Sequence, residues 1–318
     1  MQDLKQINSN LHKRKPFWLF LFISILCFLI WFLNQPAKNF NIQILPEKKY
    51  EFTAERNDQN SYVSQWTNLS AEELKAKINN LLIDKQGEYG WLFYSIKDNY
   101  VLGENYDKTY PAASINKIPI VVEYLRQVEN GEQDLGEVYT LARKDVQDGS
   151  GTLINQQFGS QYTYQDLVSF AGKYSDNTAV YVLAQKAGID KIQAFVSSRK
   201  MNQTNIEDNT TSAKDMTLLL IDIYNNKIFQ NQSDKQLFLD SLTQTEYEDR
   251  IPAGIPANVQ VVHKIGNGIQ IYSDCGLVLA ANPYGLCILT EGIKESEVLE
   301  VVPKISQMIW DFQFQRKL

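Results

Sequence analysis

Pro111-Ala112-Ala113-Ser114-Ile115-Asn116-Lys117, followed by the apolar-periodic run Ile118, Ile120, Val121, Tyr124 and Leu125 and a Gly at 131, decides how this chain is read. The periodicity predicts a buried helix that opens at Ser114 and stops near Gly131. Residues three apart share a helix face, so Lys117 lies one turn behind the Ser114 hydroxyl. The same helix start offers N–H groups without intrahelical acceptors and positive potential where an oxyanion would form. A lysine acts as a base only when its pKa is depressed by burial or by a second cation. A Ser-x-x-Lys match by itself is cheap, since about one is expected by chance in a chain this long. A second one, Ser197 to Lys200, falls in a polar helix end and is read as solvated surface.

Two further triplets give the first one weight. Ser175-Asp176-Asn177 precedes a helix over 177–186, and Lys264-Ile265-Gly266 lies on a strand over 259–265. Composition narrows the alternatives. The chain has two histidines and three cysteines; His12 precedes an apolar segment and Cys27 lies within it. Alternation puts His263 and Lys264 on opposite faces of their strand, so His263 is expected behind the sheet and no Ser-His-Asp arrangement follows. No zinc spacing, phosphate loop or internal repeat is present in the sequence, so no metal or cofactor is expected.

In order and context the three triplets resemble the penicillin-recognising serine enzymes, and within them the class A β-lactamase-like family, for which this motif set is known. Gly149-Ser150-Gly151-Thr152-Leu153, Ser175 to Ala179 and Arg250 to Pro256 extend the resemblance over roughly residues 70 to 315. The resemblance implies Ser114 as the acylated nucleophile, Lys117 as its base and Ser175 as a proton relay to the leaving nitrogen. It implies Asn177, Lys264 and Gly266 as substrate-binding positions. The N–H groups of Ser114 and Asn267 would form the oxyanion hole, and Arg250 stands where some relatives place a carboxylate-binding arginine. Two departures stand out. Ile265 occupies the position at which the family has Thr or Ser, losing a hydroxyl worth about 1–3 kcal/mol. The stretch Met201 to Ala213 is about fifteen residues shorter than in typical class A members, whose deacylating glutamate lies there. Only Glu207 and Asp208 offer carboxylates in it.

Outside this domain, Phe17 to Leu33 is an uncharged run interrupted by Ser24. At 1.5 Å per residue it spans ~25 Å, enough for a membrane helix. Lys13, Arg14 and Lys15 precede it, which predicts a cytoplasmic tail over 1–16 and an extracytoplasmic domain. Residues 34–69 read as a polar linker and 70–318 as the catalytic domain. Residues 1–33 carry a net +3, leaving −9 for the remainder. So acidic a domain is a poor partner for nucleic acid.

A capping box, Ser70 to Glu73, opens the first helix. Strands are expected at 89–96 and 100–104, helices at 164–174, 177–186 and 213–229, strands at 259–265, 270–281 and 285–291, and a closing helix at 294–314. The expected fold class is α/β (α+β): one antiparallel sheet flanked by the terminal helices, with an all-helical subdomain, preceded by the membrane helix. A tight turn at Asn282-Pro283-Tyr284-Gly285 places Cys275 opposite about residue 292, which predicts two buried thiols, Cys275 and Cys287, without a disulfide. Three functions remain in view: a membrane-anchored β-lactam hydrolase, a penicillin-binding peptidase acting on cell-wall D-alanyl peptides, and a non-catalytic envelope binding protein.

Overall fold

The computed structural model describes residues 70–316. Helix α1 (Ala71–Leu82) starts at a true capping box, with Ser70 and Glu73 exchanging side-chain and backbone bonds. Strands β1 (Glu88–Ser95) and β2 (Tyr100–Glu104) form a hairpin. Chain-distant strands complete the sheet: β7 (Gln260–Gly268), β8 (Ile271–Leu279) and β9 (Tyr284–Glu291). The five strands run in the order β2-β1-β9-β8-β7, antiparallel throughout, which leaves β7 as an edge strand. The short pairs β3 (Tyr110–Pro111) with β6 (Thr210–Thr211), and β4 (Val138–Thr140) with β5 (Gln161–Thr163), tie loops together.

Alternation along the strands divides two cores. Val261 and Val278, opposite each other, join α1 and the closing helix α8 (Glu295–Gln315) on one face. Val262 and Leu277, one step along, join the helical half on the other. That half is built around α2 (Lys117–Glu129), whose Ile118, Ile120, Val121, Val122, Tyr124 and Leu125 are all buried. A helix apolar on nearly every side is one enclosed by others. Its neighbours are α3 (Tyr164–Lys173), α4 (Asn177–Ala187), α5 (Ile189–Ser198) and α7 (Gln232–Ser241), while α6 (Ala213–Tyr224) lies on β9. The expected antiparallel sheet, terminal helices and helical half are all present.

Three details differ from the sequence reading. The helix expected over 213–229 ends at Tyr224, because Asn226 takes a left-handed φ of 57° and Asn231 caps a separate α7. Ser114 lies in a 3-10 turn (Ala113–Asn116) that leads into α2, one turn ahead of the α-helix proper. The cysteine expectation is overturned: Cys275 and Cys287 are direct register partners and form a disulfide, with their Cα atoms 3.9 Å apart. The last β8–β9 pair is Val278 with Tyr284, so the loop precedes Tyr284 instead of containing it. Pro283 has no N–H to contribute to a ladder, and the buried Tyr284 ring takes the first strand position. No helix among the described residues is long and apolar enough to cross a membrane. The segment Phe17 to Leu33, the basic tail before it and the linker lie outside the described residues.

Candidate active site

Ser114 is presented by a strained backbone. Ala113 has φ 47°, a left-handed conformation that costs a non-glycine residue of order 1 kcal/mol or more. Ala112 N–H donates to Asn209 O at 2.8 Å, and β3 pairs with β6, so the 205–211 segment holds this bend from outside. From the other side, Gly266 of β7 presses against it. A Cβ there would stand 2.7 Å from Ala112 O and 2.9 Å from Ile115 Cγ1. Only glycine lets the strand and the catalytic turn lie this close.

Two buried lysines meet one hydroxyl. Lys117, 8% exposed, donates to Ser175 O, to Ser175 Oγ at 3.2 Å and to Asn177 Oδ1 at 2.6 Å. Lys264, 2% exposed, donates to the same Ser175 Oγ at 2.8 Å and to Ile265 O at 3.0 Å. With both lone pairs of the hydroxyl engaged, the Ser175 proton is left to point elsewhere. Burial lowers the Lys117 pKa to about 7, against an upward pull from Asp176. Burial, then the charge of Lys117, pushes Lys264 well below its ordinary value; Arg250 adds to this and Asp274 opposes it. A lysine half-deprotonated at neutral pH is a competent base.

The second triplet is a scaffold as well as a site. Asp176 caps α4 through Ala179 N–H at 2.9 Å. Its other oxygen accepts from Thr152 and Leu153 N–H at 2.7 and 2.8 Å, and this closes the Gly149–Leu153 loop over the helix start. Asn177 bridges Lys117 and Asp148 O, the latter at 2.6 Å, which leaves its second side-chain N–H without a protein acceptor among the described residues. Ser175 itself has φ 52°.

Four predicted positions fall around the third triplet. Gly266 faces the catalytic turn, as just described. Asn267 is exposed at the end of β7. His263 N–H donates across the free edge of β7 to Leu242 O at 2.8 Å, so alternation turns the N–H groups of Ile265 and Asn267 to that same edge. Arg250 does not open directly into the cleft: it is 2% exposed, with Nη1 on Ser273 O at 2.8 Å and Nη2 on Asn267 Oδ1. Behind the strand, as alternation requires, His263 is fully buried. Its Nδ1 lies 2.9 Å from Asp274 Oδ1 and its Nε2 3.2 Å from Glu248 Oε1. Asp274 also accepts Ile251 N–H at 2.9 Å.

Sequence reasoning missed Asn116. Buried in the middle of Ser-x-x-Lys, its amide donates to Asn205 O and Asn209 Oδ1 at 3.1 Å and to Thr210 O at 3.3 Å. It thereby pins the short turn that replaces the long loop. Glu207 and Asp208 stand exposed on that turn, Asp208 bonded to Asn205 Nδ2 at 2.9 Å. No hydrogen bond joins either carboxylate to Ser114 or Lys117 among the described residues. Among the described residues no group of three or more His, Cys, Asp or Glu side chains is placed to hold a metal ion.

A serine at a helix start with a buried, deprotonatable lysine one turn behind it defines an acyl-transfer site of the Ser-Lys type. Comparison with known proteins places it more narrowly. The model of the beta-lactamase enzyme family matches residues 73–313, and the chain belongs to that family, on the class A side. Beta-lactamase VEB-1 of Pseudomonas aeruginosa is 24% identical over 280 residues, covering 79% of this chain and 94% of the relative. The extended-spectrum beta-lactamase PER-1 of the same organism is 23% identical over 251 residues, covering 73% and 80%. Among solved structures, PBP-A matches with a TM-score of 0.71 at 23% identity, over 77% of this chain and 97% of that one. A beta-lactamase from Sphaerobacter thermophilus matches with a TM-score of 0.73 at 20% identity, over 78% and 100%. The fold is therefore β-lactamase/transpeptidase-like, and the chain is a serine hydrolase of the acyl-enzyme type.

Proposed function

We propose that this chain is a membrane-anchored serine hydrolase that attacks β-lactams through an acyl-enzyme on Ser114. The observation that carries the reading is the single Ser175 hydroxyl held between two buried lysines of lowered pKa. Neutral Lys117 takes the Ser114 proton as Oγ bonds the carbonyl carbon. The oxyanion draws on the edge N–H of Asn267 and on the Ser114 N–H at the start of its turn. As the C–N bond breaks, the Ser175 proton passes to the leaving nitrogen and is replaced from the lysines. Lys264 and Arg250 supply positive potential for an anionic substrate, and the remaining Asn177 N–H serves its acyl-amide. The anchor is the apolar run 17–33 behind its basic tail, with the catalytic domain outside the cytoplasm.

A second reading, a penicillin-binding peptidase that deacylates slowly, is favoured by the short 201–213 turn, whose Glu207 and Asp208 are exposed and make no hydrogen bond to Ser114 or Lys117 among the described residues. The non-catalytic binder is disfavoured by the retention of Ser114, Lys117 and Ser175 together. Incubation with a chromogenic cephalosporin and a labelled penicillin, beside Ser114→Ala, separates the three. Steady colour release lost in the variant is expected for a β-lactamase. A stable stoichiometric adduct without turnover points to the peptidase. Neither adduct nor turnover sinks both.

A further inference from the structure

Lys264, Cys275 and Cys287 stand in one row across the sheet. Lys264 on β7 is the register partner of Cys275 on β8, which is in turn the register partner of Cys287 on β9. Register partners present their side chains to the same face, with Cβ atoms about 4.5–5.5 Å apart. The row lies on the cleft side, where both cysteines are fully buried in the core that also holds Val262, Leu277 and Ile115. Ile115 belongs to the Ser114 turn, and that turn rests on β7 and β8. The disulfide is thus part of the floor beneath the nucleophile. Its β8 half adjoins Lys264, whose Nζ reaches Ser175 Oγ at 2.8 Å.

The backbone leaves this level of the sheet to the sulfurs. His263 N–H donates outward to Leu242 O, so Lys264 turns its own N–H and C=O inward to Cys275. Cys275 spends its backbone groups on Lys264 and has none left for Cys287. Their Cα separation of 3.9 Å agrees, since it belongs to the close, non-hydrogen-bonded kind of antiparallel pair. Above the floor there is no slack, because Gly266 already touches the turn. Opening the bond turns one linked pair into two thiols that must separate to van der Waals contact. In a close-packed core such extra volume is relieved by shifts of side chains and backbone. The groups nearest to shift are β8 under the turn and Lys264 beside it.

We infer that the Cys275–Cys287 disulfide is a positioning element of the acyl-transfer site, and that acylation falls when a dithiol reductant opens it. A thiolate of the reductant attacks one sulfur, and its second thiol resolves the mixed disulfide. Two cysteine thiols and the oxidised reductant result. An oxidising compartment keeps the bond closed, in line with the extracytoplasmic placement proposed above. The inference rests on the acyl-enzyme reading for its rate effect but not for the state of Lys264, and the test reads both.

Acylation by labelled penicillin is followed on the full chain in detergent, oxidised and after dithiothreitol has raised its thiol count from one, Cys27, to three. Both forms are held well below their own melting temperatures. The limiting rate at saturating penicillin is expected to fall about 10- to 100-fold on reduction, while the concentration giving half that rate changes little. Cys275→Ala/Cys287→Ala is expected to fall in the same direction, and it carries the test where the buried bond resists dithiothreitol. A bond that only stabilises lowers the melting temperature alone, so an unchanged limiting rate in folded, disulfide-free protein overturns the inference. Separately, the ε-carbon resonance of Lys264 is followed across pH in Ser114→Ala, with and without the disulfide. A titration moved upward in the disulfide-free form, as water reaches a loosened lysine, supports the inference even if no form takes up penicillin. The same titration in both forms overturns it whatever the acylation result.

Discussion

Lys264 and His263 are neighbours on β7, both buried, and they face opposite sides of the sheet. On the cleft side, burial and the charge of Lys117 drive Lys264 toward its neutral form. On the far side, burial alone would lower His263, yet the Asp274 carboxylate and then Glu248 raise it to about 9. One strand therefore carries a lysine bonded only to neutral acceptors, Ser175 Oγ and Ile265 O, beside a histidine supplied with two carboxylates. Desolvation is common to both; the placement of carboxylates decides the outcome. Reactive and stabilising ionisable groups sit ~3.8 Å apart along the chain, at one Cα step, and face opposite sides of the sheet, with Asp274 still pulling Lys264 upward from behind.

The sharpest way to break this contrast is Lys264→Met. If the cleft-side lysine supplies potential to the reaction, acylation by labelled penicillin falls by about 10²–10³-fold. The melting temperature changes little, because loss of the bonds to Ser175 Oγ and Ile265 O is offset by removing a group whose charged form burial disfavours. A variant that acylates at the wild-type rate would falsify the division of roles. His263→Leu tests the other face. It leaves Asp274 and Glu248 without their cation, and chemical denaturation is expected to show a loss of about 3–5 kcal/mol at pH 6. Because the folded pKa is raised above 6.5, the His263 contribution is complete below that pH and disappears as pH rises through about 9. The stability gap between wild type and variant should close over that window, and a gap constant from pH 6 to 9.5 refutes the assignment. Glu248→Gln gives the smallest effect. The carboxylate is 43% exposed, so the loss should not exceed about 1 kcal/mol, and the His263 window should move to lower pH.

Much of this arrangement was legible in the sequence. The Ser70 capping box, the strands around Gly90 and Val101, and the period of α8 came from local chemistry that the fold preserved. Alternation placed His263 behind the sheet, where it lies. What escaped depends on partners far away in sequence. Asn116 is buried only because the 205–210 turn delivers three acceptors to it. Arg250 turns inward because Ser273 and Asn267 come from strands whose register a single sequence does not specify. The disulfide was missed for the same reason, since moving the turn that precedes Tyr284 changed every β8–β9 partner. The left-handed Ala113 left no signal at all, because alanine does not ordinarily adopt that conformation.

Gly266 acts as a spacer gauge for the whole cleft. A single methyl group at that position would meet Ala112 O at 2.7 Å, where ordinary contact begins at 3.4 Å, so strand and catalytic turn would have to part by about 0.7 Å. Catalytic constellations tolerate misplacement of about 0.5 Å. The smallest possible insertion therefore exceeds the manufacturing tolerance of the site, and the distance between its two halves is set by an atom that is not there.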